Sequence, residues 1–218
     1  MASSLAAAVA AALMAGSALA AGPTGRCEPG AAPLAARFQV RVTPPAGTAT
    51  PVREQTWTFI RDARQVALLK GEVDEIWNRD AAGRIGFQRV FHADRQVVDY
   101  SPGELATLNV RPDWMVLSCF VDPQEPAAAG SRQRVGWSRR LDLPLHLERR
   151  SADGTLTRIR LVAQFPAAPA VWPLPGERSA DYLHLDAADF GDMDYEPVVR
   201  KSETLDLRAG WRAPHSHD

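Results

Sequence analysis

The chain has 218 residues, enough for one domain with a substantial buried core. Its 25 basic and 26 acidic residues nearly cancel, so composition gives no electrostatic footprint for nucleic acid or an anionic membrane.

Residues 1–21, MASSLAAAVAAALMAGSALAA, carry no charged side chain and include an apolar run from Leu5 to Ala15. They close on the small-x-small pattern Ala18-Leu19-Ala20. The run is too short and too alanine-rich for a membrane span. It reads as a signal peptide over 1–20, cleaved after Ala20, although no basic residue precedes it. The terminal amine or an upstream start codon then supplies the missing positive charge, and a buried alanine-rich helix is the alternative. Export points to the periplasm of a Gram-negative cell.

Two cysteines, Cys27 and Cys119, read in an exported chain as one disulfide. Closing a loop of about ninety residues contributes about 4–5 kcal/mol in the chain-entropy model. A lipid anchor on Cys27 does not fit, because Arg26 and a polar stretch precede it.

Residues 21–36 are rich in Gly, Pro and Ala and are expected to be a linker ahead of a single β-rich domain over 37–210. From there the period is two. RFQVRV, EQTWTFIR, RQVALL, VDEIWN, RIGFQRVF and RQVVDY read as an antiparallel meander with one dry and one wet face. The stretch SPGEL then starts a helix, with Ser101 as N-cap, Pro102 at N1 and Glu104 closing a capping box. A helical insert over 102–121 follows, hinged at Arg111-Pro112.

Strands return in RQRVGWSRR, LDLPLHLERR and TLTRIRLVAQF. Leu141, Leu143, Leu145 and Leu147 are expected on one face, as are Ile159, Leu161, Ala163 and Phe165. Asp153-Gly154 marks a hairpin turn. A proline-rich excursion over 166–177 leads to a strand at DYLHLDA and a last strand in EPVVRKSETLDL. The expected fold is mostly β: one strongly curved antiparallel meander of about ten strands with a short helical insert, and a C-terminal tail over 211–218.

This succession resembles the periplasmic lipoprotein-carrier superfamily, the LolA/LolB-like half-barrels, with SPGELATLNVRPDWMVL as a candidate lid. The resemblance implies a concave apolar sheet face that holds acyl chains beneath helices. No residue of that family is carried over. The residues expected to line such a cavity are Trp57, Phe59, Phe87, Leu105, Leu108, Trp114, Leu117, Leu143, Leu145, Ile159 and Leu161.

Six carboxylates fall between Asp181 and Glu196. Their spacing does not match an EF-hand loop, and solvated carboxylates around a turn, with Phe190 and Met193 tucked in, explain them. The tail offers His215, His217 and Asp218, a ligand set suited to Cu²⁺, Ni²⁺ or Zn²⁺. Neither G-x-S-x-G, H-E-x-x-H, C-x-x-C nor a phosphate-cradling glycine loop is present, so no cofactor and no catalytic residue is expected. His92, with Asp94 and Asp99 near it in sequence, is a candidate acid/base. The six tryptophans are too dispersed for a nucleic-acid stacking platform. The leading expectation is an exported non-enzymatic protein that binds an apolar ligand, such as a lipid or acyl chain, or a periplasmic partner protein. A metal-binding protein using the tail and the 186–194 carboxylates is the second reading, and a hydrolase-like enzyme using His92 the third.

Overall fold

The computed structural model describes residues 32–119, 132–193 and 195–212. Among them, ten strands form one sheet. In chain order these are β1 (Leu34–Thr43), β2 (Arg53–Arg61), β3 (Gln65–Leu69), β4 (Val73–Arg79), β5 (Ile85–Phe91), β6 (Gln96–Tyr100), β7 (Arg132–Ser138), β8 (Leu143–Arg150), β9 (Leu156–Phe165) and β10 (Leu183–Asp186). Across the sheet they run β10-β6-β5-β4-β3-β2-β1-β9-β8-β7, which leaves β10 and β7 as open edges.

The first six strands make the expected antiparallel meander. The chain then returns along β7, β8 and β9, and β9 pairs with β1 on its other side. β10 pairs with β6 in parallel, so the sheet is mixed rather than wholly antiparallel. A parallel neighbour needs a crossover connection.

Two short helices follow β6 at the expected place: α1 (Pro102–Thr107) and α2 (Trp114–Leu117). Ser101 caps α1, and its capping box with Glu104 is complete. Asp113 caps α2, its carboxylate accepting from Met115 N and Val116 N.

The segment expected to be the last strand is a helix, α3 (Pro197–Arg208). Pro197 suits a helix N-terminus, and Val198, Val199, Ser202 and Asp206 form its buried face. That face is half polar, which is why the apolar helical period does not stand out in the sequence. Past the C-cap, Gly210 has φ 72°. Gly210 N donates to Leu207 O at 3.1 Å and Trp211 N to Asp206 O at 2.8 Å. This is a Schellman closure, which a residue with φ > 0 makes possible. It turns Trp211 back into the core.

One face of the sheet carries the main core: Phe38, Val40, Trp57, Phe59, Trp77, Phe87, Phe91, Val98, Tyr100 and Ile159, packed with residues of α1, α2 and α3. The opposite face is wet only in part. Over the central strands Ala35, Ile60, Ala67, Leu69, Ile76, Val90 and Val97 are buried beneath Trp172, with Ala168 and Tyr182 packed alongside. The proline-rich excursion is therefore the cover of a second small core. This explains the continuous burial of β3 and β4.

Two further expectations change. β1 opens at Leu34, inside the stretch read as linker, because Leu34–Ala36 pair with Phe59–Arg61 and are buried. In β9 a bulge shifts the register: Phe38 pairs with Leu161, but its neighbour Arg37 pairs with Ala163. An extra residue flips side chains to the other face. Ala163 and Phe165 thus leave the face of Ile159 and Leu161, and Phe165 meets Trp172 edge-on at 5.2 Å.

Candidate functional site

The covered face brings together nearly all the expected cavity residues. Trp57, Phe59, Phe87, Leu105, Leu117, Leu143 and Ile159 are buried in one cluster, with Leu108, Trp114 and Leu161 partly buried against it. Leu145 stands apart and is exposed. A second bulge, between Gly136 and Trp137, interrupts pairing opposite it. Leu108, Val110 and Trp114 come from the helical insert. Val42, Leu147 and Leu161 are the half-buried apolar side chains that β1, β8 and β9 add to the same cluster.

Polar groups in this wall are few and specific. Trp57 is 7% exposed, and its indole Nε1 has no hydrogen-bond partner among the described residues. Lys70 Nζ lies 5.2 Å from the Trp57 ring centre and 3.1 Å from Glu75 Oε2, whose side chain is only 3% exposed. At the end of β2, buried Arg61 donates to the carbonyls of Ala32, Ser118, Leu141 and Asp142. Burial pulls its guanidinium below the usual arginine value, an effect Asp142 opposes. Arg61 ties α2 and the β7–β8 turn to the sheet.

The strongest polar cluster was not foreseen from sequence. Arg89 is fully buried, and its Nη1 donates to Asp206 Oδ1 at 2.8 Å, Ser202 Oγ at 2.8 Å and Tyr100 Oη at 3.1 Å. Its Nε and Nη2 have no hydrogen-bond partner among the described residues. The rings of Phe87, Tyr100 and Trp211 stand 5.1–5.6 Å from its guanidinium carbon, within cation–π range. Burial raises the Tyr100 phenol well above the usual value; Arg89 opposes that shift and Asp206 adds to it. A sequence signal existed: Arg89 alternates with Phe87 and Phe91, so a cation occupies a position whose neighbours face the core.

His92 does not join Asp94 or Asp99. Its Nε2 lies 2.7 Å from Asp74 Oδ2 and its Nδ1 3.2 Å from Tyr182 Oη. Through its two ring nitrogens His92 bridges β4 and the segment covering the second core. Asp94 instead binds Lys201. Asp99 accepts from His184 Nδ1 at 2.6 Å and Gln88 Nε2 at 2.7 Å. Gln88 then accepts from Asn78, and Asn78 from Gln65. This polar ladder crosses β10, β6, β5, β4 and β3, and no single segment of sequence announces it.

In the acidic stretch, Asp186 caps a 3-10 turn over Ala187–Asp192 by accepting from Ala188 N. Phe190 is buried and Met193 packs against the core, as expected. Leu185 is buried, whereas Leu183 on the same edge strand is 59% exposed. No group of three metal-ligating side chains occurs among the described residues. His215, His217 and Asp218 lie outside those residues, as do Cys27 and the signal-peptide segment. Cys119 is buried just past α2. No described helix is long and apolar enough to cross a membrane.

No protein-family model matches the chain, and no curated protein does. Among solved structures, a chain described as PNGF-II is similar at 12% identity, with a TM-score of 0.39 over 76% of this chain. The match spans 34% of that structure, and a likeness this distant carries no argument about fold or activity.

Proposed function

We propose that the chain is an exported, non-catalytic binding protein that holds an apolar ligand of lipid or acyl character. The ligand lies between the covered sheet face and the α1–α2 insert, with the sheet curving around it as a half-barrel. The observation that carries this reading is Trp57: a buried indole N–H without an acceptor among the described residues, set in an apolar wall. Small-molecule sites combine such walls with a few placed polar groups that orient the ligand. An unmet buried donor costs about 1–3 kcal/mol, and a ligand carbonyl or carboxyl oxygen would recover it. Half-buried Leu108 and Trp114 of the insert and Leu147 and Leu161 of the sheet belong to the same apolar cluster. Export by residues 1–20 and a Cys27–Cys119 bridge fastening the N-terminal segment to the end of α2 belong to the same proposal.

An environment-sensitive fluorescent fatty acid titrated into delipidated protein tests it. Saturable binding is expected, and Leu161→Arg, at a half-buried position of β9, should weaken binding more than folding. Absence of saturable uptake removes the reading.

A further inference from the structure

The near-zero net charge conceals how the arginines are placed. On β1, β9, β8 and β7 the register sets Arg41 opposite Arg158, Arg158 opposite Glu148, and Glu148 opposite Arg134. Two residues along, Gln39, Arg160, His146 and Gly136 form the next row, and Arg150 falls in the row on the other side. Directly paired residues share a face, here the one opposite the main core. Arg41, Arg134, Arg150, Arg158 and Arg160 are all exposed.

Counter-charge is sparse. Glu54 lies 3.5 Å from Arg41, and Glu148 lies 2.8 Å from Arg158. Arg134, Arg150 and Arg160 have no carboxylate partner among the described residues. The Glu148 carboxyl is held below the usual range chiefly by its hydrogen bond from Arg158, with Arg134 and Arg150 adding attraction. Three guanidiniums therefore surround one carboxylate. On β7 the His146 ring lies over Gly136, where an added Cβ would come within 2.1 Å of it.

The same side of the sheet presents apolar side chains. Trp172 is buried there, with the Arg37 guanidinium 4.3 Å from its ring centre. Its neighbour Val171 is 89% exposed, and Leu174 and Phe165 are exposed as well. Neighbouring strands lie about 5 Å apart and successive same-face residues about 7 Å apart, so the arginines form a dense array beside these apolar knobs.

We propose that this face docks the protein onto an anionic lipid bilayer. The arginines meet head-group phosphates while Val171 and Leu174 enter the head-group layer. A soluble polyanion would satisfy the arginines but leave the apolar side chains unused, which favours the bilayer. The proposal does not depend on the ligand reading above.

The test is co-sedimentation of the full chain with mixed phosphatidylcholine–phosphatidylglycerol vesicles and with pure phosphatidylcholine vesicles. Binding is expected to the mixed vesicles, to be weak without the anionic lipid, and to fall as salt rises. Arg134→Glu combined with Arg160→Glu should lower affinity roughly tenfold or more, and Val171→Asp should lower it several-fold, both with unchanged melting. Equal binding to the two vesicle types, as insertion of the N-terminal apolar run would give, overturns the proposal. So does an arginine variant that binds like the parent, or binding to heparin without sedimentation on vesicles.

Discussion

Arg89 and Asp206 meet at 2.8 Å with neither side chain exposed, one from the middle of β5 and one from α3. The pair, rather than an apolar stripe alone, holds α3 against β5 and β6. Removing one partner strands the other charge in the core, so Asp206→Ala should cost about 3–5 kcal/mol. Replacing both, with Arg89→Met and Asp206→Leu, should recover much of that loss. Urea unfolding of both single variants and the double variant measures it, and a double loss equal to the sum of the single losses would mean that the charges are not coupled.

Tyr100 predicts an alkaline signature. In the unfolded chain its phenol ionises near the usual value of about 10, whereas burial holds the proton on in the fold. The stability this contributes is complete below the unfolded pKa and is lost as pH rises from there toward the folded one. Tyr100→Phe should cost about 1 kcal/mol at neutral pH through lost hydrogen bonds and flatten the alkaline decline. Unfolding measured on both sides of the tyrosine range tests this; parallel pH profiles for the two proteins would contradict it.

Gly210 is the residue that aims Trp211. Its φ of 72° suits glycine, so Gly210→Ala should destabilise by about 1 kcal/mol. Trp211 packs edge-on against Phe87 at 5.2 Å and Trp77 at 5.9 Å, so the substitution should also change tryptophan fluorescence. An unchanged spectrum would show that the turn does not direct the ring.

Arg61 satisfies four carbonyls from three separate segments. Arg61→Met should lower stability by about 2–4 kcal/mol, because buried acceptors lose a charged donor. Arg61→Lys should not restore it, since an ammonium lacks the planar fork. Thermal melts of the two variants decide the point; a lysine variant as stable as the parent would contradict it.

The strands were legible because alternation and turn residues agree along β1–β6 and β8–β9, and α1 because Ser101, Pro102 and Glu104 spell a capping box. What escaped did so for physical reasons. The inward face of α3 is partly polar, since Ser202 and Asp206 serve Arg89, and that breaks the apolar period. The bulge opposite Arg37 and Phe38 flips Ala163 and Phe165, and local composition does not mark it. His92 finds Asp74 and Tyr182, neither of them its neighbours in sequence. The arginine-rich face was invisible to net charge because carboxylates gather around β10 while arginines gather on the strands at the other edge.

The binding reading is tested most directly by native mass spectrometry of the protein purified from its native host. The account predicts a population carrying one added mass of lipid or acyl character, diminished in Trp57→Phe, which keeps the apolar wall but loses the N–H. Bare-chain mass alone, in protein that also fails to take up a fluorescent fatty acid, would contradict it.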